Sequence, residues 1–414
     1  MGPRRALMAG AICGVLVFVN CLPARRWGRA FARPFLGRVL NAGFLVLIGI
    51  ELFLPRPYLI WLRGGGERRG GDGFLSRVVL VAMHGAAVLA LFVPFAVVMP
   101  WAERHLRSGQ AEIVFGSHYA RWSRFDVSDL AWDPLRRHLL LCGDQQDTVV
   151  ELNVDTRALR DTGLENHGNE FCEFDRKRDL FLTADASSGE LIAAKGADMA
   201  DLKRVRLNDL PPGEIFVSLF DAAGLVVAAS ENENGRGTGP EIRVIDLDRM
   251  EVVREIDSDV GFSLAHPDLP ILYVNHFAKD FGIRAIDIEQ GQVIARSPFF
   301  GRSDRMVFDA ARNEVLATAP VDGRIYRFDA TTLEPRGYYR TVFGARGLAL
   351  DPVRNLLLVS SFVTNKLDII DMGTGKSLRR YWLGPWLRDV RLTDEPGAAY
   401  VGSRYALYRV RYLE

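Results

Sequence analysis

The stretch Gly347–Arg380, GLALDPVRNLLLVSSFVTNKLDIIDMGTGKSLRR, decides the fold of most of the chain. It contains three short apolar runs and a charged fourth run, and turn residues such as Asp351-Pro352 separate them. Short β-rich runs divided by such turns predict four antiparallel strands joined by tight connections.

The same pattern recurs along the last three-quarters of the chain. The turn after each first strand provides a marker in every unit, and successive markers lie 42–46 residues apart. The markers are Asp133, Asp175, Asp221, His266, Asp309, Asp351 and Thr393. Seven units of this length, each with four strands, are typical of propeller blades. Residues 112–414 are therefore predicted to form an all-β seven-bladed β-propeller.

A second marker ends the third strand of several units, where an Asp or Asn stands before a turn. Its side chain can accept hydrogen bonds from the N–H groups of that turn, so we expect a structural role. The positions are Asn153, Asp246, Asp287, Asp329 and Asp371.

The seventh unit is one strand short. Leu387–Glu414 supplies three strands, and the missing outer strand can come from Glu112–Trp122 near the start of the ring. Pairing the two ends of the ring sequence would close the propeller and leave no open sheet edge. Residues 101–111 then form a short linker.

Three apolar runs precede the ring, at residues 6–22, 39–62 and 78–99. A helix of about 20 apolar residues crosses a bilayer, so residues 1–100 are predicted to form an α-helical transmembrane region of about three helices. The first run could instead be a signal peptide, because it follows Arg4-Arg5. Leu22-Pro23-Ala24 is a poor cleavage site, which favours an uncleaved helix.

Arginine distribution favours an external ring. If all three runs span, seven arginines lie on the side of the N-terminus and five lie on the other side. This bias predicts a multi-pass protein with a cytoplasmic N-terminus and a propeller on the periplasmic or extracellular side.

Two ionisable residues, Glu51 and His84, fall within the apolar runs. Such residues are functional candidates in a membrane. A hydrogen bond between them that holds two helices together is the simpler interpretation, because a proton relay would need more polar partners.

The sixth unit resembles the repeat of the YVTN family of β-propellers. Leu358-Val359-Ser360-Ser361 stands where that family has Tyr-Val-Thr-Asn, and Asn365–Asp371 and Thr374-Gly375-Lys376 follow its pattern. The resemblance covers about residues 112–414. It implies a bladed ring, often in an extracytoplasmic setting, but no particular reaction, because such repeats occur in binding proteins and in enzymes.

Composition excludes several classes of function. The net charge is +1, from 52 basic and 51 acidic residues, which gives no reason to expect a nucleic-acid partner. The four cysteines include no C-x-x-C pair, so neither a disulfide framework nor a metal knuckle is indicated, although a Cys142–Cys172 bridge is possible. The chain also lacks G-x-S-x-G, H-E-x-x-H and P-loop motifs.

Ligands of propellers usually meet the face where the inner strands begin, around the central channel. The residues four or five places before each marker are expected to line it, and they include Ser128, Asp129, Glu170, Phe171, Phe216, Val217, Gly261, Phe262, Asp304, Arg305, Arg346, Gly347, Arg388 and Asp389. Arg305, Arg346 and Arg388 come from adjacent units and could together bind an anionic ligand. Alternatively, each arginine pairs with a neighbouring carboxylate.

A possible metal site is the second candidate. His167, Asn169 and Glu170 precede the second unit, and Asn232 and Asn234 lie in an acidic insertion. Oxygen ligands of this kind suit Ca²⁺ or a hydrolytic divalent metal. Gluconolactonase-type propellers use similar residues across the channel.

Three classes of function remain open at this stage. The favoured one is a membrane-anchored propeller that acts as a ligand- or protein-binding scaffold. The second is a metal-dependent lactonase or hydrolase, and the third is a sensor whose ring reports ligand to the membrane helices.

Overall fold

The computed structural model describes residues 103–116, 127–143, 146, 148–165, 171–200, 203–207, 215–230, 241–258, 261–275, 282–404 and 406–413. These residues belong to one compact unit, Ala102–Glu414. The predicted membrane segments, with Glu51 and His84, lie outside the described residues. In the part of the chain that is described, no helix is long and apolar enough to cross a membrane.

A short helix over residues 103–107 precedes the β-strands. The strands are β1 Ala111–Gly116, β2 Asp129–Asp133, β3 His138–Cys142, β4 Thr148–Asn153, β5 Leu159–Glu165, β6 Cys172–Asp175, β7 Leu180–Asp185, β8 Glu190–Lys195, β9 Lys203–Arg206, β10 Ile215–Phe220, β11 Leu225–Ser230, β12 Ile242–Asp246, β13 Glu251–Ile256, β14 Ser263–Ala265, β15 Ile271–Asn275, β16 Ile283–Asp287, β17 Gln292–Arg296, β18 Met306–Asp309, β19 Glu314–Ala319, β20 Arg324–Asp329, β21 Pro335–Arg340, β22 Ala345–Asp351, β23 Leu356–Ser361, β24 Lys366–Asp371, β25 Lys376–Trp382, β26 Leu387–Leu392, β27 Ala398–Ser403 and β28 Ala406–Arg411.

These strands form seven four-stranded sheets, which are the blades. Blades one to six are the consecutive groups β2–β5, β6–β9, β10–β13, β14–β17, β18–β21 and β22–β25. The innermost strand of each blade contacts that of the next blade, and β26 contacts β2, so the ring is closed. The prediction of a seven-bladed propeller is confirmed.

Blade seven has the order β1-β28-β27-β26, so a strand from the start of the ring sequence completes it. Ala111 pairs with Val410 and Gly116 pairs with Ala406 in an antiparallel ladder. This is the closure that the short seventh unit suggested, although residues 117–122 of the expected strand are outside the described part.

Buried tyrosines join neighbouring blades. The hydroxyl of Tyr273 donates to the carbonyl oxygen of Ala330 at 2.8 Å, and that of Tyr381 donates to Arg411 at 2.9 Å. Each bond satisfies a phenol that packing has removed from water, and each spans two blades.

The two faces of the ring differ. Because each blade is an antiparallel meander, the inner strands begin at the face that carries the loops between second and third strands. We call it the loop face, and we call the opposite face, with its tight first-to-second and third-to-fourth connections, the turn face. The Asp residues that end the third strands lie at the turn face and accept hydrogen bonds from the following turn, as predicted. For example, Asp246 Oδ1 accepts hydrogen bonds from the N–H groups of Asp248 and Arg249 at 2.9 and 3.0 Å.

Arginines at the turn face link one blade to the next. Arg136 pairs with Asp133 of its own turn at 2.9 Å and with Asp179 of blade two. Arg178 likewise pairs with Asp175 at 3.1 Å and with Asp248 of blade three at 2.7 Å. The turn face is therefore held by side-chain contacts between blades, as well as by core packing.

Candidate functional site

A cavity of about 450 Å³ lies in the central channel, where the inner strands converge. It is lined by Asp129, Phe171, Glu173, Phe216, Val217, Phe262, Ser263, Leu264, Arg305, Met306, Val307, Phe308, Leu348, Ala349, Leu350, Pro352, Asp389, Val390, Arg391 and Leu392. Its size is within the range of sites for small ligands.

Arg305 occupies the end of this channel that is nearer the loop face. Its Nη2 lies 2.8 Å from Oδ1 of Asp129, and its Nε lies 3.6 Å from Oδ1 of Asp389. Its guanidinium carbon is 5.0 Å from the ring centre of Phe171 and 5.6 Å from that of Phe262. Arg305 is thus held by carboxylates and by cation–π contacts, as the pairing alternative supposed. We call Asp129, Arg305 and Asp389 the ion layer.

Three phenylalanines of blades two, three and four pack around one another beside the ion layer. The ring centres of Phe171 and Phe216 are 4.5 Å apart, and those of Phe216 and Phe262 are 5.0 Å apart. We call them the aromatic triad. It supplies an apolar wall on one side of the channel, in contact with the guanidinium of Arg305.

Exposure increases along the inner strands away from this layer. Asp129 and Phe171 are buried, Glu173 and Leu392 are partly exposed, and Pro352 is exposed. Within the described residues the cavity is therefore more accessible from the turn face. The sequence favoured the opposite face, where the inner strands begin.

Arg346 and Arg388 do not join Arg305. Their guanidinium carbons lie 5.5 and 5.6 Å from the ring centre of Phe362. Trp386 is stacked on Phe362 at 6.0 Å, and Arg404 lies 5.5 Å from the centre of Trp386. These five residues form an arginine–aromatic cluster at the loop face, apart from the residues that line the cavity.

Position along the strand explains the separation of the arginines. Arg305 lies four residues before Asp309, whereas Arg346 and Arg388 lie five residues before Asp351 and Thr393, and successive side chains point to opposite sides of a strand. The strands of Arg346 and Arg388 are also paired irregularly. The register between β22 and β23 shifts between Ala345 and Leu348, and that between β26 and β27 shifts between Leu387 and Val390. β18 pairs regularly with β19. Asp389 lies four residues before Thr393, as Arg305 does before Asp309, so Asp389, and not Arg388, faces the channel.

Blades six and seven approach closely at these bulges. The Ser360 hydroxyl accepts from the N–H of Gly347 at 3.0 Å and donates to the carbonyl oxygen of Arg388 at 2.6 Å. A Cβ at Gly347 would collide with that carbonyl oxygen, so the position requires glycine.

Three carboxylates and two guanidiniums line the cavity. Arg391 Nη2 lies 3.8 Å from Oδ2 of Asp389. Burial, together with the negative charge of Asp129, raises the pKa of Asp389 to about 7, although Arg305 and Arg391 oppose this shift. Burial by the channel walls also raises the pKa of Glu173.

Several polar atoms of the site lack a hydrogen-bond partner among the described residues. They include Oδ2 of Asp389 and Nε of Arg391. Asp389 is only 4 % exposed, so this carboxylate oxygen has lost water without gaining a donor. Such buried groups usually have a partner, which makes them candidates for ligand contact.

Glu173 and Arg391 were not singled out from the sequence. They lie two residues after Phe171 and Asp389, and side chains two apart on a strand share a face. Extending the list of channel positions by two residues along each inner strand would have found them.

The possible metal ligands His167, Asn169, Glu170, Asn232 and Asn234 all lie outside the described residues. Over the ranges that the structure covers, no group of three or more His, Cys, Asp or Glu side chains is placed to hold a metal ion. Cys142 and Cys172 are both buried and both are free thiols.

A comparison of the chain with models of protein families gave no match, and neither did a comparison with curated protein sequences.

Proposed function

We propose that this protein is a membrane-anchored binding propeller whose ring lies outside the cytoplasm and holds a small ligand in its channel. A β-propeller is a rigid scaffold, and its fold supports a binding role in general. The likeness of blade six to YVTN repeats is consistent with an extracytoplasmic setting.

The observation that carries the proposal is the channel cavity of about 450 Å³, with its buried charges. Charged groups are costly to bury, and a ring held together by its blades has no structural need for an incompletely paired carboxylate at its centre. Asp389 is such a carboxylate. A ligand that donates a hydrogen bond to this carboxylate completes its pairing, and ligand binding then accounts for the buried charge.

Thermal unfolding of the full-length protein in detergent tests the binding role. A ligand at 100 times its dissociation constant adds about 2.7 kcal/mol to the free energy of unfolding. The panel should contain amino acids, amines, carboxylates, phosphates and sugars. A rise in Tm with one class supports the proposal, and no rise with any class would contradict it.

Membrane anchoring and the external ring are supported by the apolar runs and by the arginine distribution. A C-terminal fusion to alkaline phosphatase, which is active only outside the cytoplasm, should be active in cells. Activity of a reporter that works only in the cytoplasm would contradict this topology.

The arginine–aromatic cluster favours a second binding surface, for an anionic group. Arg346, Arg388 and Arg404 bring three positive charges to two stacked rings, and guanidiniums recognise carboxylate and phosphate groups well. Citrate or phosphate should therefore raise Tm in the wild-type protein but raise it less in Arg404→Gln. An equal rise in the exposed control Arg336→Gln and in Arg404→Gln would reject this surface.

A further inference from the structure

The pairing of Asp129 and Asp389 is unequal. Oδ1 of Asp129 accepts from Arg305 at 2.8 Å, and its Oδ2 accepts from the N–H of Cys172 at 3.1 Å. Oδ1 of Asp389 faces Arg305 at 3.6 Å, whereas its Oδ2 accepts no hydrogen bond from the described residues. The acceptor that remains available in the ion layer is therefore Oδ2 of Asp389.

A donor stands on the same wall of the cavity. Arg391 lies two residues further along β26, and its Nε is buried without an acceptor in the described part of the chain. Its Nη2 is 3.8 Å from the available oxygen of Asp389, which is too long for a hydrogen bond. The cavity thus presents an acceptor and a donor within a few ångströms of each other.

Much of the remaining lining is apolar, apart from Glu173 of blade two and Arg305 of blade five. The aromatic triad belongs to blades two to four, and Val307 and Leu348 line the side formed by blades five and six. A ligand that meets the two polar atoms can therefore place an apolar body against phenylalanine and aliphatic side chains.

The charges of the site fit a ligand with both signs. Asp129, Glu173 and Asp389 line the cavity together with Arg305 and Arg391. A simple anion would leave Asp389 without a donor, and a simple cation would leave Nε of Arg391 without an acceptor. Each of these ligands keeps one buried group unpaired, which weakens binding.

We propose that the channel cavity binds a small zwitterion with an apolar body, whose ammonium group donates to Asp389 and whose carboxylate accepts from Arg391. An α-amino acid with an apolar side chain has this chemistry. The inference rests on the proposed binding function and specifies its ligand class.

Protonation of Asp389 should make ligand affinity depend on pH in the wild-type protein. Its pKa of about 7 means that much of the carboxyl is protonated at pH 6. An ammonium group binds the ionised form, so binding should release a proton. Affinity should rise from pH 6 to pH 8, while Arg305 and Arg391 keep their charge throughout. The other carboxyl groups at the cavity are those of Asp129 and Glu173, and the pKa of Glu173 is raised as well.

The test is isothermal titration calorimetry of the full-length protein in detergent with three matched probes. L-Phenylalanine carries both charged groups, phenethylamine carries only the ammonium group, and 3-phenylpropionate carries only the carboxylate. We expect L-phenylalanine to bind roughly tenfold or more tightly than either single-charge probe. Titrations in two buffers of different ionisation enthalpy measure the released proton.

Variants then assign each contact. Asp389→Asn should lose affinity for L-phenylalanine and phenethylamine, and it should weaken the pH dependence, leaving only the part that Glu173 contributes. Arg391→Gln should lose affinity for L-phenylalanine and 3-phenylpropionate. Asp322→Asn, an exposed position outside the cavity, should match the wild type.

The outcomes separate this inference from the general binding role. Tighter binding of 3-phenylpropionate or phenethylamine than of L-phenylalanine would contradict a zwitterionic ligand but would still support the general binding role. Binding of none of the three probes would also overturn it, and the wider ligand panel would then decide whether the channel binds anything. Binding without proton release would overturn the contact with Asp389, even if the variants failed to fold.

Discussion

Nη2 of Arg305, in blade five, lies 2.8 Å from Oδ1 of Asp129, in blade one. Blades six and seven stand between these two in the ring, so the ion pair crosses the channel and does not join neighbours. Both side chains are largely buried, at 19 % and 7 % exposed. The contact therefore fixes the centre of the ring and sets the charge that any ligand meets there.

Loss of Arg305 should destabilise the ring strongly. Arg305→Met leaves Asp129 and Asp389 buried without their cation, and we expect a loss of about 3 kcal/mol in the free energy of unfolding, as measured by urea titration. The double variant Arg305→Met/Asp129→Asn should recover part of that loss. Arg336→Met removes an exposed ion pair and should cost less than about 1 kcal/mol. Equal losses in the two single variants would contradict the role of the ion layer.

The contribution of β1 to ring closure can be tested by removing the backbone N–H of Glu112. The N–H of Arg411 donates to the carbonyl oxygen of Gln110. Hydrogen-bonded and non-hydrogen-bonded pairs alternate along an antiparallel ladder. The pair Ala111–Val410 is therefore non-hydrogen-bonded, and at the next pair the N–H of Glu112 points at β28. Glu112→Pro removes that donor and leaves its acceptor on β28 unpaired, which should cost about 1–3 kcal/mol in the free energy of unfolding.

Glu112→Ala is the matched control for closure. It removes the partly exposed carboxylate that contacts Arg157 and Arg409, but it keeps the N–H, and it should cost less than about 1 kcal/mol. Both variants should unfold in a single transition, because the blades share one closed ring. A proline variant as stable as the alanine variant would show that β1 does not hold the ring closed.

The tyrosine contacts between blades should each contribute a modest amount. Tyr381→Phe removes the bond to the carbonyl oxygen of Arg411 from a fully buried side chain, and we expect a loss of about 1 kcal/mol. Tyr338→Phe, in which the side chain is exposed, should change stability by less than about 0.5 kcal/mol. Indistinguishable midpoints in urea would contradict the contribution of the buried bond.

Asp389 should make stability depend on pH. Its pKa in the folded ring is about 7, above the ordinary aspartate value of 3.8, so the folded state holds a proton that the unfolded chain has lost. Between these two values the contribution of Asp389 falls as pH rises, with a slope of at most about 1.4 kcal/mol per pH unit. Asp389→Asn lacks this dependence.

The free energy of unfolding of Asp389→Asn should therefore improve relative to that of the wild type as pH rises from 5 to 7. Urea titrations at several pH values measure the difference. A constant difference over this range would mean that the carboxyl of Asp389 keeps an ordinary pKa.

The sequence predicted the ring well because its signals are local. The spacing of Asp133, Asp175 and the later markers follows from turns that each unit forms on its own. The closing strand was predictable for a different reason: blade seven lacked one strand, and only the other end of the ring sequence could supply it. The hydrogen bonds accepted by Asp246 were likewise predicted from chemistry within one turn.

The candidate site was harder to predict because it depends on the direction of single side chains. The sequence placed Arg305, Arg346 and Arg388 together, but Arg346 and Arg388 lie one position earlier in their strands than Arg305 does, and both contact Phe362. Asp129 and Asp389 were among the expected channel residues. The crossing of Arg305 to Asp129 was not foreseeable, because it joins residues of distant blades.

The most direct test of the binding role is native mass spectrometry of the full-length protein purified from the cells that naturally produce it. Val307→Trp fills the channel cavity, and Val321→Trp adds the same side chain at a position that is 68 % exposed. We predict that the wild type and Val321→Trp retain a small molecule that Val307→Trp has lost, although all three unfold in one transition. The same bound mass in all three proteins, or none in any, would contradict a ligand in the channel.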